Sequence, residues 1–180
     1  ADTFYLSFNR NAGTAVPGLG AVYDEDIVLY NAGTWSLYFE GSVYGLAASN
    51  GQDIDAFDIA GGVLYFSTFG SVAVPGVAGP YDDADIYAWD GGAAFRRVFD
   101  ASAAGLPATA TIDGLKVVDA DTFYMSFSAD LGTAVAGLGV VQDEDVVLYD
   151  AGTWSLHFDG SVYGLAASGG QDIDAFDLLP

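Results

Sequence analysis

Carboxylates carry whatever chemistry this chain can do. Three acidic clusters recur along it: Asp24-Glu25-Asp26, then Asp82, Asp83 and Asp85, then Asp143-Glu144-Asp145. Carboxylates this close repel one another, and a divalent cation relieves the repulsion. On that ground Asp24, Asp26, Asp83, Asp85, Asp143 and Asp145 are the candidate metal ligands, and Ca2+ is the candidate cofactor. The competing use of the same residues is structural, because a short Asp side chain caps a loop by accepting from nearby backbone N–H groups. No complete EF-hand loop pattern is present. A second set, Asp53 with Asp55, Asp113, and Asp172 with Asp174, lies in a recurring extended segment. Asp55, Asp113 and Asp174 are expected to line a channel, as a cation site or simply as a solvated acidic surface.

Other chemistry is thin. His157 is the single histidine. No Ser-His-Asp order, G-x-S-x-G elbow, HExxH pair or P-loop occurs. Paired carboxylates could hydrolyse glycosides, but Asp is so abundant that its presence discriminates nothing. The chain is therefore read as a non-enzyme. Tyr23, Tyr30, Tyr38, Tyr44, Trp89 and Tyr163 could stack on sugar rings, which makes polysaccharide a candidate partner. The plainer use of such rings is packing between sheets.

The net charge is −21, from 25 acids against Arg10, Arg96, Arg97 and Lys116. Phosphates would be repelled, so nucleic acid is not an expected partner. Although 52% of residues are hydrophobic, no apolar run approaches the roughly 20 residues of a membrane span, and membrane insertion is not expected. Only Glu25, Glu40 and Glu144 are Glu; Asp dominance suits turns and Ca2+ ligation. There is no Cys, and the sequence starts at Ala1. The expectation is an extracellular, secreted bacterial protein after leader cleavage.

These residues sit in a repeat. Residues 1–61 match residues 120–180 at a constant offset of 119, with about three quarters identical. A divergent copy lies between, so that Tyr5, Tyr65 and Tyr124 correspond, as do Trp35, Phe95 and Trp154. Each unit of about 60 residues holds four extended runs separated by turn signals. The first is Asp2–Phe8, matched by Val63–Phe69 and Thr122–Phe127. A Gly/Pro-bearing loop leads to Asp26–Tyr30, Asp85–Trp89 and Asp145–Tyr149. A short turn leads to Trp35–Phe39, where period two predicts Trp35, Leu37 and Phe39 on one face. The last run is Asp53–Ile59, Ile112–Val118 and Asp172–Leu178. No apolar i, i+3, i+4 pattern supports a helix.

The fold class is all-β: tandem four-stranded antiparallel blades, β-propeller-like, about three per chain. A β-solenoid is the alternative. With blade strands lettered a to d outward, the order is b-c-d, a-b-c-d twice, then a. Residues 1–52 form a first blade without its inner strand, 53–111 the second, 112–171 the third, and 172–180 a lone inner strand. Three blades are too few to close. The lone strand (Asp172, Ile173, Asp174, Ala175, Phe176, Asp177, Leu178) is expected to complete the first blade of another copy along Asp2, Phe4, Tyr5 and Leu6. Two chains give six blades; a contact that does not close gives a filament. Arg97 takes the Leu37 position, so it needs a carboxylate partner, expected from a neighbouring blade or chain.

Leu19-Gly20, Asp24–Val28, Trp35–Phe39, Gly45-Leu46 and Asp53–Phe57 resemble the LPGLG…DEDIV…WSLYFDGSDVGL…DIDAF repeats of large bacterial extracellular proteins of unassigned function. The resemblance spans essentially the whole chain and is strongest in the first and third units. It implies tandem extracellular repeats and brings no catalytic residue. The functional expectation is a self-assembling extracellular scaffold or filament protein. A carbohydrate- or cation-binding module is the alternative, and a hydrolase on a propeller scaffold a further one.

Overall fold

Alternating apolar residues between Gly-bearing turns produce short strands, most of which pair with the next strand along the chain. The computed structural model describes residues 2–9, 12–47, 51–129, 132–165 and 171–178. The strands are β1 (Thr3–Leu6), β2 (Thr14–Val16), β3 (Gly20–Val22), β4 (Ile27–Asn31), β5 (Thr34–Phe39), β6 (Ile54–Ala60), β7 (Val63–Thr68) and β8 (Ile86–Trp89). They continue with β9 (Arg96–Phe99), β10 (Ile112–Asp119), β11 (Thr122–Phe127), β12 (Thr133–Val135), β13 (Gly139–Val141), β14 (Val146–Asp150) and β15 (Thr153–Phe158). Two 3-10 turns, Gly41–Tyr44 and Gly160–Tyr163, follow β5 and β15. No α-helix occurs among the described residues.

The fold is all-β, built from several small antiparallel sheets. The first sheet is three-stranded, β1-β4-β5; the second is β6-β7-β8-β9; the third is β10-β11-β14-β15. The Gly/Pro loop of the first and third units is itself a hairpin, β2-β3 and β12-β13. Three-residue strands around a turn have too little periodicity to stand out in sequence. The tight β4–β5 turn puts both central residues at positive φ, Ala32 at 48° and Gly33 at 93°. That is the hairpin turn whose twist matches the strands.

Two apolar layers hold the three sheets face to face. Phe39 and Leu46 of the first unit pack with Leu64, Phe66, Tyr87 and Phe95 of the second. Phe99 and Ile86 of the second unit pack with Phe123, Met125 and Val147 of the third. One facing prediction is corrected here. A register shift between Ile27 and Val28 pairs Ile27 with Phe39 but Val28 with Leu37. A bulge adds a residue and reverses the alternation. Trp35 therefore packs with Val28 in the first sheet's outer cluster, while Phe39 points into the layer shared with the second sheet.

The inner strands β6 and β10 lie side by side: Val117 N donates to Asp58 Oδ2 (2.8 Å), and Lys116 Nζ lies 3.5 Å from Asp58 Oδ1. Residues 171–178, expected as a lone strand, pair in no ladder. They lie against β10, where Lys116 also reaches Asp177 at 3.0 Å. Gly114 permits the approach, since a Cβ there would stand 2.8 Å from the Phe176 ring.

Candidate functional site

Among the described residues the first and third sheets differ in what lies beside them, and the repeat allows the comparison. Ser67 Oγ in β7 donates to Ile112 O (3.2 Å), and Ser126 Oγ in β11 donates to Ile173 O (2.7 Å). Ile54 N donates to Asp24 O (3.0 Å), and Ile173 N to Asp143 O (3.1 Å). The 171–178 segment thus meets the third sheet as β6 meets the first, and among the described residues no strand pairs with it. At the other end, β1 has only β4 beside it, whereas β7 and β11 each also pair with an inner strand. A cleft of about 490 Å3 lies between Ser7 at the end of β1 and Asp53, Ile54 and Asp55 at the start of β6.

The sheet faces repeat this asymmetry. Phe4 is 41% exposed, while its counterparts Leu64 and Phe123 are 0% and 1% exposed. Leu6 is likewise exposed where Phe66 and Met125 are buried. On the far side of the stack, Tyr163 stacks on Phe158 at 5.0 Å and is 73% exposed. Its counterpart Tyr44 stacks on Phe39 at 5.3 Å and is packed against Trp89 at 4.9 Å. The first face of the stack and its last face therefore carry the two halves of the contact that joins sheets one and two.

The six predicted metal ligands divide into two kinds. Asp26 accepts from Tyr23 N (3.0 Å) and Gly41 N (2.9 Å), and Asp145 accepts from Gln142 N and Gly160 N at the same two distances. Asp85 accepts from Asp82 N, Ala101 N and Tyr87 Oη, and pairs with Arg97 Nη1 at 2.9 Å. These three fasten the start of the third strand of each unit to the turn after its fourth. Arg97 also reaches Asp100 at 3.1 Å. Its partners thus come from its own sheet rather than a neighbouring one, because Asp85 already points to the position two strands carry. The guanidinium accordingly occupies the group formed by Asp82, Asp85 and Asp100.

Asp24 and Asp143 are different. Asp24 is fully buried, and neither of its carboxylate oxygens has a hydrogen-bond partner; the same holds for both oxygens of Asp143. Glu25, Asp53, Glu144 and Asp172 each contribute a further unpartnered buried oxygen. In the middle unit Asp83 takes this place, and it accepts from Gly70 N (2.5 Å) and Thr111 Oγ1 (2.9 Å). Ala84 replaces the Glu and Thr111 the Asp of the other units. The middle unit has thus exchanged two carboxylates for an apolar residue and a hydroxyl donor. Glu25, Glu144, Asp53 and Asp172 were not singled out as ligands from sequence; their pairing with Thr111 and Ala84 in the repeat alignment was the available signal.

The predicted channel residues do come together. Asp55, Asp113 and Asp174 line one cleft of about 120 Å3, with Ser7 on its wall. Burial, with neighbouring carboxylates adding to it, raises Glu25 to about 7 and Asp53 to about 6. Asp55 is raised to about 6 and Asp113 to about 7 for the same first cause, with Asp174 and Asp172 among their respective neighbours. An acid whose folded pKa lies above its unfolded value binds more protons when folded between those values. Its charge therefore penalises the fold above the folded pKa, and the penalty is relieved as pH falls. In chelator, the denaturant midpoint should rise as pH is lowered from about 8 to about 5.5. A flat or falling midpoint across that window would contradict these shifts.

Most of the remaining candidates pack against other rings. His157 is exposed and meets Tyr124 edge-on at 4.6 Å, as Tyr38 meets Tyr5 at 4.8 Å. Tyr30 stacks on Phe4, and Trp89 packs between Phe39 and Tyr44. Of the aromatics proposed for sugar stacking, Tyr23 and Tyr163 are the exposed large ones. No helix of the described residues is long and apolar enough to cross a membrane. The chain matches no protein-family model and no curated protein.

Proposed function

We propose that this is a secreted, self-assembling β-repeat protein whose role is that of an extracellular scaffold, its units acting as propeller-like blades. Copies join by strand complementation: Asp172, Ile173, Asp174, Ala175, Phe176, Asp177 and Leu178 of one chain enter beside Asp2, Phe4, Tyr5 and Leu6 of the next. The observation that carries this reading is the exposure of Phe4 and Leu6 against the full burial of their counterparts in the other two units. An open strand edge together with an unstacked apolar face invites pairing with another chain. Supplying the inner strand would put it into the cleft beside Ser7, in the relation Ser67 has to Ile112 and Ser126 to Ile173.

The contact is head to tail, with different patches on the two sides, so it makes rings when the rotation closes and filaments when it does not. Two chains would supply six sheets, within the usual propeller range. Light scattering and electron microscopy of the chain, compared with a form lacking residues 171–180, test this. The full chain should give rings or fibres of integral chain number, and the shortened form should remain monomeric with its β signal intact. A full-length chain that stays monomeric at about 100 µM, well above the micromolar affinity of even a weak interface of this size, overturns the reading.

A further inference from the structure

We propose a divalent-cation site, suited to Ca2+, formed by Asp113 of β10 with Asp172 and Asp174 of the C-terminal segment. One oxygen from each carboxylate lies within 4.8 Å of the others. Ca2+ takes several carboxylate oxygens directly, at about 2.3–2.6 Å in flexible geometry, whereas Mg2+ keeps most of its waters. The donor set is all oxygen, as a hard cation requires. Proximity of acids alone would mean little; Asp174 is exposed and Asp172 no more than half-buried, but the third acid is set into the sheet. Asp113 is 9% exposed; its Oδ1 competes with Ile173 O for the single Ser126 Oγ proton, each at 2.7 Å, and its Oδ2 accepts from no N–H or hydroxyl. Oδ1 of Asp172 is also buried and unpartnered. Behind them Asp143, 1% exposed with both oxygens unpartnered, holds Ile173 N on its backbone carbonyl. Lys116, the basic residue of β10, is already engaged by Asp58 and Asp177. Buried carboxylate oxygens that lack a donor are costly, and a bound cation would relieve that cost at Asp113 Oδ2 and Asp172 Oδ1.

The corresponding position between the second and third units is Asp55, Thr111 and Asp113. There Thr111 donates to Asp83 and one acid is gone, so no site is expected. Between the first unit and the second, Asp53 and Asp55 take the places of Asp172 and Asp174, and no described residue takes the place of Asp113. If the complementation proposed above operates, Asp174 of the entering segment fills it and completes a second site at each junction. Cation binding then anchors the exchanged segment at both of its neighbours.

Calorimetric titration of CaCl2 into the EGTA-treated full chain, with mass measured on the same samples, tests this. One ion per chain is expected in the monomer and two in the assembly, with a rise in Tm of about 4 °C or more at saturation. Asp174→Asn should lose at least about tenfold in affinity, as loss of one of three charged ligands implies, while Asp90→Asn on an exposed turn should bind as the unsubstituted chain does. One ion per chain in a persistent monomer supports the site and overturns complementation. Assembly with no Ca2+ heat, or with binding unaltered by Asp174→Asn, overturns the site and leaves complementation standing.

Discussion

Replacing Phe39 by Ala lowers folding stability by about 3–5 kcal/mol, the range for deleting a fully buried aromatic ring. Phe39 is 1% exposed. It contacts Tyr44 (5.3 Å), Trp89 (5.0 Å), Phe95 (6.2 Å) and Phe66 (6.5 Å), rings from two sheets. The cavity left cannot collapse, because strands fix the surrounding backbone. Phe158 occupies the same repeat position on the open face of the third sheet, half-buried and stacked on Tyr163 alone. Phe158→Ala should cost under about 1.5 kcal/mol in the isolated chain, since little apolar area is lost there. Urea denaturation of both variants measures the contrast. If complementation joins chains as proposed, Phe158→Ala should also weaken assembly, where Phe158 would take the buried role of Phe39. Equal costs for the two rings would mean that the sheets do not stack as described.

Replacing Asp85 by Ala should cost about 3–5 kcal/mol, the combined loss of a buried ion-pair partner and of the acceptor for buried backbone donors. The carboxylate is fully buried and serves four groups: Asp82 N, Ala101 N, Tyr87 Oη and Arg97. Removing it strands two backbone donors and the Tyr87 hydroxyl and leaves Arg97 with only Asp100 and Pro80 O. The double change Asp85→Ala with Arg97→Leu, which restores the apolar residue of the first unit, should recover part of the loss. Asp26→Ala loses only its two backbone donors, Tyr23 N and Gly41 N. It should cost about 2 kcal/mol, in the range of a lost cap. Denaturant midpoints of the three variants decide the order, and a single cost for Asp26 and Asp85 would remove the ion pair from the account.

The strand order of the two four-stranded sheets was legible because each unit carries four period-two runs separated by Gly-bearing turns, and neighbours in sequence pair most easily. The β2-β3 hairpin was missed because Thr14–Val16 and Gly20–Val22 are too short for alternation to register. The face of Phe39 was misjudged because a bulge at Tyr38 is a property of pairing between two strands. Neither strand alone reveals it. The partner of Arg97 was placed in the wrong unit for a similar reason: sequence reported the need for a carboxylate, and only the β8–β9 register brought Asp85 within reach.

The acidic residues show the division most clearly. Sequence by itself determined that carboxylates cluster, that they recur by unit, and that almost no basic residue is present to neutralise them. Tertiary structure alone decided their uses. Asp26, Asp85 and Asp145 point to backbone N–H groups and fasten turns. Asp24 and Asp143, two residues earlier in their units, are buried with no N–H or hydroxyl donor and face other carboxyl groups instead. The physical reason is that hydrogen bonding and ligation depend on where side chains from distant segments converge. Asp113 and Asp172 are 59 positions apart in the chain, and they meet because the C-terminal segment packs against β10.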